Sequence, residues 1–380
     1  MRSYLLLFCL LGLSVGSFAQ QTINATMMHD GTEREYILYV PDSYTGDDPV
    51  PLILNFHGYT SNALEQMNYG DFRPIADTAG FLVVHPEGLL FNGNTHWNVG
   101  GWTVGSTVDD VGFTAALLEE LASQYNIDSD RVYSTGMSNG GFMSFLLACQ
   151  LSDKIAAVAS VTGSMTPETY NACDPEHPTP VLQMHGTADG VVPYIGAFWT
   201  RSINDVLAYW VDFNNCYGTE TVTPIPNTVV LDGSTVEHIV YDQGDYETTV
   251  EHFKVAAGGH TWPGTFFSGP GTNQDIDASL EIWKFFSRYN LSDLNPTTDV
   301  DEQTVRMAQT RIFPNPAGSM LNVELTVEKP VPFEIISVIG TRMKTGLLEP
   351  GVNTIDVSDL SADVYFLKVG ESAFKVVKIH

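Results

Sequence analysis

Short, largely apolar runs alternate with segments of helical period along most of this 380-residue chain. Residues 51–57 (PLILNFH), 81–85 (FLVVH) and 155–161 (IAAVASV) are examples of the apolar runs. Strands that are apolar on both faces are typical of a parallel sheet covered by helices on both sides. The pattern therefore predicts an α/β fold with a mostly parallel central sheet.

The residue pattern at each end of the chain differs from the pattern in its middle. Residues 1–19 have a basic start, a short apolar core and small residues at the end, which is typical of an export signal. Residues 20–292 form the predicted α/β domain, and the polar residues 293–307 form a predicted linker. Short alternating strands separated by Gly, Pro and Asn turns over 308–380 predict a small all-β sandwich. No later run is long enough to span a membrane.

The charge is concentrated in the larger predicted domain. Residues 20–304 carry 8 basic and 37 acidic side chains, whereas residues 305–380 carry 8 of each. A strongly acidic surface repels phosphate backbones, so this composition excludes nucleic acid as a partner.

Three cysteines remain after the export signal, namely Cys149, Cys173 and Cys216. An odd number in an oxidising compartment predicts one disulfide and one buried thiol, with the pairing left open. No Cys/His cluster has zinc-ligand spacing, and we expect neither a metal nor a cofactor.

A serine between two glycines offers a candidate nucleophile. Ser138 lies in STGMSNGGFM (134–143), directly after a predicted strand and before a predicted helix. The same G-x-S-x-G spacing occurs at 12–16, inside the export signal, so the spacing alone means little. A strand that turns abruptly into a helix lifts a serine hydroxyl above the sheet, and the crowded turn requires glycine at 136 and 140. The helix start also offers free N–H groups to a developing anion.

A serine hydroxyl needs a base, which on such a sheet comes late in the chain, in the order serine, acid, histidine. His260 lies in the glycine-rich loop AAGGHTWPG after a predicted strand, where a ring can reach over the sheet. His238 and His252 lie within strand-like runs and His380 ends the second domain, so these three are interpreted as structural.

The acid is expected between serine and histidine, just after a strand. Asp189 in LQMHGTADG follows the predicted strand 180–184 and is the preferred candidate. The weaker candidates lie on a helix face or in a hairpin: Asp205, Asp212 and Asp232. Two backbone N–H groups, near Tyr59 in NFHGYTSN and at Asn139, are the predicted oxyanion hole.

These motifs together resemble the secreted polyhydroxybutyrate depolymerase and feruloyl esterase family of α/β-hydrolases. The stretches that carry the likeness over roughly 30–290 are NFHGYTSN, VVHPEG, VDDVGF, RVYSTGMSNGGFMSFLLAC, LQMHGTADGVVPY and GGHTWPG. The resemblance implies an α/β-hydrolase fold, carboxylic-ester hydrolysis, and Ser138, Asp189 and His260 as a catalytic triad. Many members carry a cysteine where this chain has Tyr59, so a disulfide expected there is absent.

The tail FPNPAGSMLNV…VYFLKV…KVVKIH resembles the C-terminal sorting domain of the type IX secretion system. That resemblance implies a secretion machinery as partner, removal of the tail, and release from the cell or attachment to its surface. A carbohydrate-binding module is the alternative interpretation of the tail.

Substrate choice is the least constrained expectation. Trp97, Trp102 and Trp262, with Tyr59 and Phe266, are predicted to line an aromatic cleft, which favours feruloyl esters of plant polysaccharide; the alternative is that these rings only pack loops. Polyhydroxyalkanoate or other polyester depolymerisation and acetylxylan ester hydrolysis also fit the motifs. A serine peptidase and a non-catalytic glycan-binding surface protein are the remaining alternatives.

Overall fold

The computed structural model describes residues 20–216, 219–267, 269, 271–294, 311–325, 330–337, 341–369 and 372–379. The chain divides into two compact units, residues 1–295 and 296–380. The predicted export signal (1–19) and nearly all of the predicted linker (295–307) lie outside the described residues.

The strands of the first unit belong to one large sheet and one small hairpin. The large sheet contains β1 (Gln21–His29), β2 (Thr32–Val40), β3 (Val50–Phe56), β4 (Leu82–Pro86), β7 (Ile127–Met137), β8 (Ala157–Val161), β9 (Val181–Gly186), β10 (Thr221–Pro224), β11 (Thr235–Tyr241) and β12 (Val250–Ala256). The hairpin contains β5 (Leu89–Phe91) and β6 (Asn94–His96).

The large sheet has the strand order β1-β2-β4-β3-β7-β8-β9-β12-β11-β10. The six strands from β4 to β12 in this order run parallel, whereas the outer strands pair antiparallel. This arrangement confirms the predicted mostly parallel sheet. Because parallel strands end at the same edge, the loops after β3, β7, β9 and β12 meet there, and they carry the predicted site residues.

The helices of the first unit are α1 (Ala63–Tyr69), α2 (Arg73–Ala79), α3 (Asp110–Gln124), α4 (Asn139–Gln150), α5 (Pro167–Ala172), α6 (Ile203–Phe213), α7 (Ala278–Phe286) and α8 (Leu291–Leu294). The sequence of residues 61–79 predicts a single helix, which is wrong, because Gly70 ends α1 and Pro74 lies in the first turn of α2. Thr107 with Asp110 forms a candidate capping box in the sequence, but this prediction is also wrong: the Asp109 side chain accepts the Gly112 N–H and caps α3.

Side chains of the central strands point alternately to two apolar layers. On β3, Leu52 and Leu54 belong to the layer that contains residues of α3, α4 and α6. Ile53 belongs to the opposite layer, which contains residues of α2 and α7. The sheet is therefore buried on both faces, which explains the unbroken apolar runs in the sequence.

The second unit contains two antiparallel sheets. Its strands are β13 (Arg311–Phe313), β14 (Met320–Leu325), β15 (Val331–Ser337), β16 (Arg342–Leu348), β17 (Gly351–Asp356), β18 (Asp363–Val369) and β19 (Ser372–Lys378). The sheets have the orders β13-β14-β17 and β16-β15-β18-β19. Leu321 and Val323 of the first sheet and Ile335 and Leu367 of the second share one buried apolar core, as in the predicted sandwich.

None of the helices in the described part of the chain has the length and apolar character that a bilayer crossing requires.

Two glycines let β3, β7 and α4 approach one another at the loop edge of the sheet. A Cβ on Gly140 would lie 2.1 Å from the Phe56 carbonyl oxygen, and one on Gly136 would lie 2.6 Å from the same atom. Real Cβ atoms do not approach backbone that closely, so the expectation that both positions require glycine is confirmed. The close contact fixes the turn at 136–140 against the end of β3.

We predict that Gly140→Ala lowers the free energy of unfolding by about 3 kcal/mol or more, because the methyl group must displace the backbone of β3. Gly190→Ala is the matched control, since a Cβ there would meet no atom within 4 Å. Urea unfolding followed by tryptophan fluorescence measures both variants. Equal stabilities of the two variants would show that the strand and the helix separate easily.

Candidate active site

Ser138 occupies the sharp turn between β7 and α4. Its backbone has φ 54° and ψ −119°, a conformation that side-chain-bearing residues rarely adopt. The Ser138 N–H donates to the Val161 carbonyl oxygen at 2.8 Å, which ties the turn to the end of β8. The turn exposes Ser138 to a cavity at the loop edge of the sheet.

Asp189 follows β9 and is buried by its own loop. One carboxylate oxygen, Oδ1, accepts the N–H groups of Val191 and Val192 at 2.8 and 2.9 Å. The other oxygen, Oδ2, lies 2.8 Å from His260 Nδ1 and 3.3 Å from His185 Nε2. Burial alone would raise the pKa of the Asp189 carboxyl, but the hydrogen bonds from His185 and His260 hold this pKa well below its usual range. The carboxylate therefore stays charged.

His260 lies in the loop after β12, and its side chain is 17% exposed. This loop packs directly against the Asp189 loop: the Ala188 N–H donates to the Gly258 carbonyl oxygen at 2.9 Å. A Cβ on Gly186 would lie 2.2 Å from that same oxygen, so the close approach requires glycine. The contact brings the imidazole and the carboxylate, 71 residues apart in sequence, within hydrogen-bond distance.

A second histidine, His185, contacts the same carboxylate oxygen as His260 and was missed by the sequence analysis. It is buried at the end of β9, where its Nδ1 lies 3.1 Å from Gln183 Nε2. The amide donates to Nδ1, so Nε2 carries the proton and faces both the Val192 carbonyl oxygen (2.9 Å) and Asp189 Oδ2. His185 thus anchors the Asp189 loop. Its position four residues before Asp189, at a strand end, was the available signal.

The predicted oxyanion-hole residues lie on two neighbouring segments. Tyr59 follows β3, and Asn139 is the first residue of α4, so its backbone N–H has no partner within the helix. A Cβ on Gly58 would lie 3.4 Å from the Ser138 Cβ, which places this turn beside the serine. The Asn139 side chain is fully buried.

His57 holds the turn after β3 through two hydrogen bonds. Its Nε2 accepts the Gly88 N–H at 2.9 Å, and its Nδ1 lies 2.7 Å from the Gly58 carbonyl oxygen, to which it donates. Burial lowers the pKa of His57 to about 4. The ring is therefore neutral near pH 7 and acts as a fixed hydrogen-bonding spacer.

A cavity of about 480 Å³ contains both the serine and the histidine. Its lining combines apolar and aromatic side chains with polar ones: Gly58, Tyr59, Ser61, Glu65, Gln66, Asn68, Tyr69, Met137, Ser138, His260 and Phe267. This volume and mixture are typical of a small-molecule site.

The predicted tryptophan-lined cleft needs correction. Trp97 and Trp262 are fully buried, because Trp97 packs on Phe56 and Trp262 packs on Phe72 in the two core layers. Trp102 is half-buried and makes an edge contact with the Tyr59 ring, 6.4 Å between centroids, without lining the cavity.

Two exposed aromatic residues follow Trp262 in the loop after β12. Phe267 lines the cavity, whereas its neighbour Phe266 is 90% exposed and does not. Phe267 was not singled out from the sequence, because nothing in the pair distinguishes one ring from the other.

The histidines interpreted as structural have structural partners. His238 Nε2 lies 2.8 Å from a Glu251 carboxylate oxygen, and His252 is bonded to the Gln183 carbonyl oxygen and the Tyr194 hydroxyl. His380 lies outside the described residues. Of the weaker acid candidates, Asp205 and Asp212 lie on α6, and Asp232 accepts N–H groups in a surface turn.

The cysteines form one disulfide, Cys149–Cys173, and leave Cys216 as a buried thiol. This outcome confirms the expected one bridge and one free cysteine. The bridge joins the end of α4 to the end of α5 and so stabilises the helix that follows Ser138.

One group of side chains in the described residues can bring metal-ligand atoms within 4.8 Å of one another, namely His29, Asp30 and Asp109. The two carboxylates are exposed, and Asp109 already caps α3. This geometry does not define a metal centre.

Both units of the chain match known protein families. Residues 34–203 match the family described as Esterase PHB depolymerase, and residues 311–379 match the Secretion system C-terminal sorting domain. The chain is 30% identical over 287 residues to feruloyl esterase D of Neurospora crassa, which covers 71% of this chain and 86% of that protein.

Two further relatives are longer proteins. A bifunctional acetylxylan esterase/xylanase of Neocallimastix patriciarum is 27% identical over 71% of this chain, and feruloyl esterase B of Piromyces equi is 34% identical over 43% of it. The aligned parts span 36% and 30% of those proteins, about a third of their lengths. Among solved structures, the acetyl xylan esterase from Aspergillus awamori aligns with a TM-score of 0.52 and 16% identity, over 70% of this chain and 99% of that one, which shows the shared fold.

We predict a loss of stability on mild acidification, because His57, His85 and His252 are buried and neutral. Burial lowers the pKa of His57 to about 4 and the pKa values of His85 and His252 to about 3. The unfolded chain binds these protons near pH 6.5, so their contribution is complete above that pH and is lost as the pH falls towards 4. Between pH 7.5 and 5 each group lowers the free energy of unfolding by about 2 kcal/mol.

Urea unfolding measured between pH 7.5 and 5 tests this, because carboxylates titrate mostly below that window. His85→Gln, which lacks one of the three groups, is expected to lose about a third of the slope. A free energy of unfolding that does not change across the window would contradict the assignment of neutral rings.

Proposed function

This chain belongs to the esterase PHB depolymerase family of carboxylic ester hydrolases, and we propose that it cleaves feruloyl or related esters of plant polysaccharide through a Ser138–His260–Asp189 triad. The first step is proton transfer from the Ser138 hydroxyl to His260 Nε2 as the serine oxygen attacks the ester carbonyl. The resulting imidazolium lies against the charged Asp189 carboxylate.

Collapse of the tetrahedral intermediate expels the alcohol, which takes the proton from His260 and leaves an acyl group on Ser138. Water then repeats the cycle: His260 removes its proton, the hydroxide attacks the acyl-enzyme, and the acid product departs as the Ser138 hydroxyl is restored. Asp189 holds the ring with Nδ1 protonated, so that Nε2 is the free base. No step needs a redox partner.

The oxyanion is held by the backbone N–H groups of Tyr59 and Asn139 in this proposal. One comes from the turn after β3 and the other from the start of α4, where the helix dipole favours negative charge. The loss of one such donor typically costs about 3 kcal/mol of transition-state stabilisation.

The observation that carries the proposal is the Asp189–His260 contact beside the serine. The two side chains lie 2.8 Å apart, and His260 and Ser138 line one cavity. Three loops that are distant in sequence supply an acid, a base and a nucleophile in the required chemical order, which supports acyl transfer.

The cavity lining supports an aromatic acyl group. Tyr59, Tyr69 and Phe267 supply flat apolar surfaces against which a planar cinnamoyl ring can pack. Glu65 and Asn68 add polar atoms that suit a phenolic hydroxyl. The relatives named as feruloyl esterases favour the same choice, and the relatives named as acetylxylan esterases make acetylated xylan the second substrate to test.

The C-terminal unit carries the secretion sorting sequence, so the protein is secreted or held at the cell surface through a secretion machinery. An extracellular site suits a polymeric substrate that cannot enter a cell. We infer that the physiological ester is linked to such a polymer.

We predict that Ser138→Ala lowers kcat on methyl ferulate at least about 10⁴-fold, because the nucleophile is lost. It is also expected to abolish labelling by a fluorophosphonate probe. Ser134→Ala is the matched control: Ser134 is buried on the same strand, and its hydroxyl contacts Ser144 rather than the cavity. Retained turnover or labelling in Ser138→Ala would remove this serine from the mechanism.

We predict that Phe267→Ala raises KM for methyl ferulate about 10-fold, since a stacking partner of the acyl ring is lost. KM for triacetin, which has no aromatic acyl group, should change less than about 2-fold. Phe266→Ala is the control, because this adjacent ring does not line the cavity.

Parallel assays on acetylated xylan, hydroxybutyrate oligomers and casein give the competing outcomes. A higher kcat/KM on one of the first two than on methyl ferulate would reassign the substrate. Casein hydrolysis without ester hydrolysis would contradict the proposed reaction class.

A further inference from the structure

We propose that Trp97 is a positioning residue that fixes the two backbone N–H donors of the oxyanion hole relative to each other. The inference rests on the proposed function, because it concerns the same oxyanion. Trp97 is fully buried directly after β6 and does not line the cavity.

The main chain of Trp97 binds one segment of the hole. Its N–H donates to Asn139 Oδ1 at 2.8 Å, and its carbonyl oxygen accepts Asn139 Nδ2 at 3.1 Å. The amide side chain of Asn139 is thus clamped in a two-bond, ring-like pairing. Because the backbone N–H of Asn139 is a proposed oxyanion donor, this pairing fixes the residue that carries the donor.

The side chain of Trp97 binds the other segment. Its indole Nε1–H donates to the His57 carbonyl oxygen at 2.9 Å, two residues before Tyr59. The ring also packs edge-on against Phe56, with 4.9 Å between centroids, and against His57 at the same distance. The peptide groups that lead to the Tyr59 N–H therefore cannot rotate away without breaking a buried hydrogen bond.

The two segments belong to different parts of the chain, and Trp97 is bonded to both. Oxyanion stabilisation requires both donors at hydrogen-bond distance from one oxygen, and a displacement of about 1 Å can cost about 10²-fold in rate. A side chain that links the two segments therefore acts on the transition state. It makes no contact with the ground-state substrate in the cavity, so its removal should affect kcat rather than KM.

Trp97→Phe tests the proposal, because it keeps an aromatic ring and removes the indole N–H. We expect kcat on methyl ferulate to fall about 10- to 100-fold with KM changed less than about 2-fold. Phenylboronic acid, which forms a tetrahedral adduct with an active serine, should bind more weakly by a similar factor. A purely structural role would lower the melting temperature without this selective loss.

Tyr133→Phe is the matched control for losing a buried hydrogen bond. The Tyr133 hydroxyl is fully buried and donates to the Tyr289 carbonyl oxygen at 2.7 Å, so its removal also deletes one donor to a backbone carbonyl. We expect this variant to keep kcat and boronic acid affinity within about 2-fold of the native values. An equal loss of kcat in both variants would overturn the proposal.

Asn139→Ala is the second variant and leaves the Trp97 ring in its core site. It removes the paired amide but keeps the backbone N–H at position 139, and we expect the same fall in kcat with little change in KM. If this variant retains native kcat, or if Trp97→Phe folds and retains it, the inference is wrong. Such a result alongside an inactive Ser138→Ala would reject the role of Trp97 and keep the triad, whereas an active Ser138→Ala would reject the triad itself.

Discussion

The backbone contact between the end of β3 and the first turn of α4 controls the geometry of the whole site. The Phe56 carbonyl oxygen lies so close to Gly136 and Gly140 that neither position has room for a methyl group. This proximity brings the turn after β3 against the turn that carries Ser138, with only a few ångströms between Gly58 and the serine. The tight packing of β3 against α4 therefore places the nucleophile beside a set of backbone N–H groups, independently of side-chain chemistry.

A second close backbone contact positions the acid and the base. Gly186 lets the loops after β9 and β12 touch, because a Cβ there would meet the Gly258 carbonyl oxygen, and this contact brings Asp189 to His260. The buried carboxylate would be unstable there without partners. Its four partners, two backbone N–H groups and two histidine rings, compensate for burial and keep it ionised. The close contact between the two loops therefore buries the Asp189 carboxylate, and the two histidines supply hydrogen bonds that keep the buried carboxylate charged.

Elements that depend on a local sequence pattern could be predicted, whereas elements for which several patterns compete were predicted wrongly or missed. Strand-then-turn positions of Ser138, Asp189 and His260 could be identified because parallel strands end at one edge. The antiparallel β1 was missed, since only every second residue is partly buried and its alternation is weak. The break of the helix at Gly70 was missed because the apolar period continues on both sides of it. Loop tryptophans were assigned to the cleft, because a sequence does not show on which side of a loop a ring packs.

The hydrogen bond that a buried indole requires explains on which side of its loop Trp97 packs. A buried indole must give its N–H to a partner, and in a sheet whose strands already pair with one another the free acceptors lie at strand ends, where the turns begin. The His57 carbonyl oxygen is such an acceptor, which is why the buried tryptophan lies beneath the turn rather than in the cavity. The site therefore contains two groups of residues with different constraints. The buried group, which consists of the glycines, Trp97 and Asn139, is fully packed and tolerates little change. The exposed group contains Phe267, which is 60% exposed. Exposed side chains are replaced at little cost in stability, and their replacement leaves the oxyanion geometry unchanged. A new acyl preference can therefore arise by substitution in the exposed group alone.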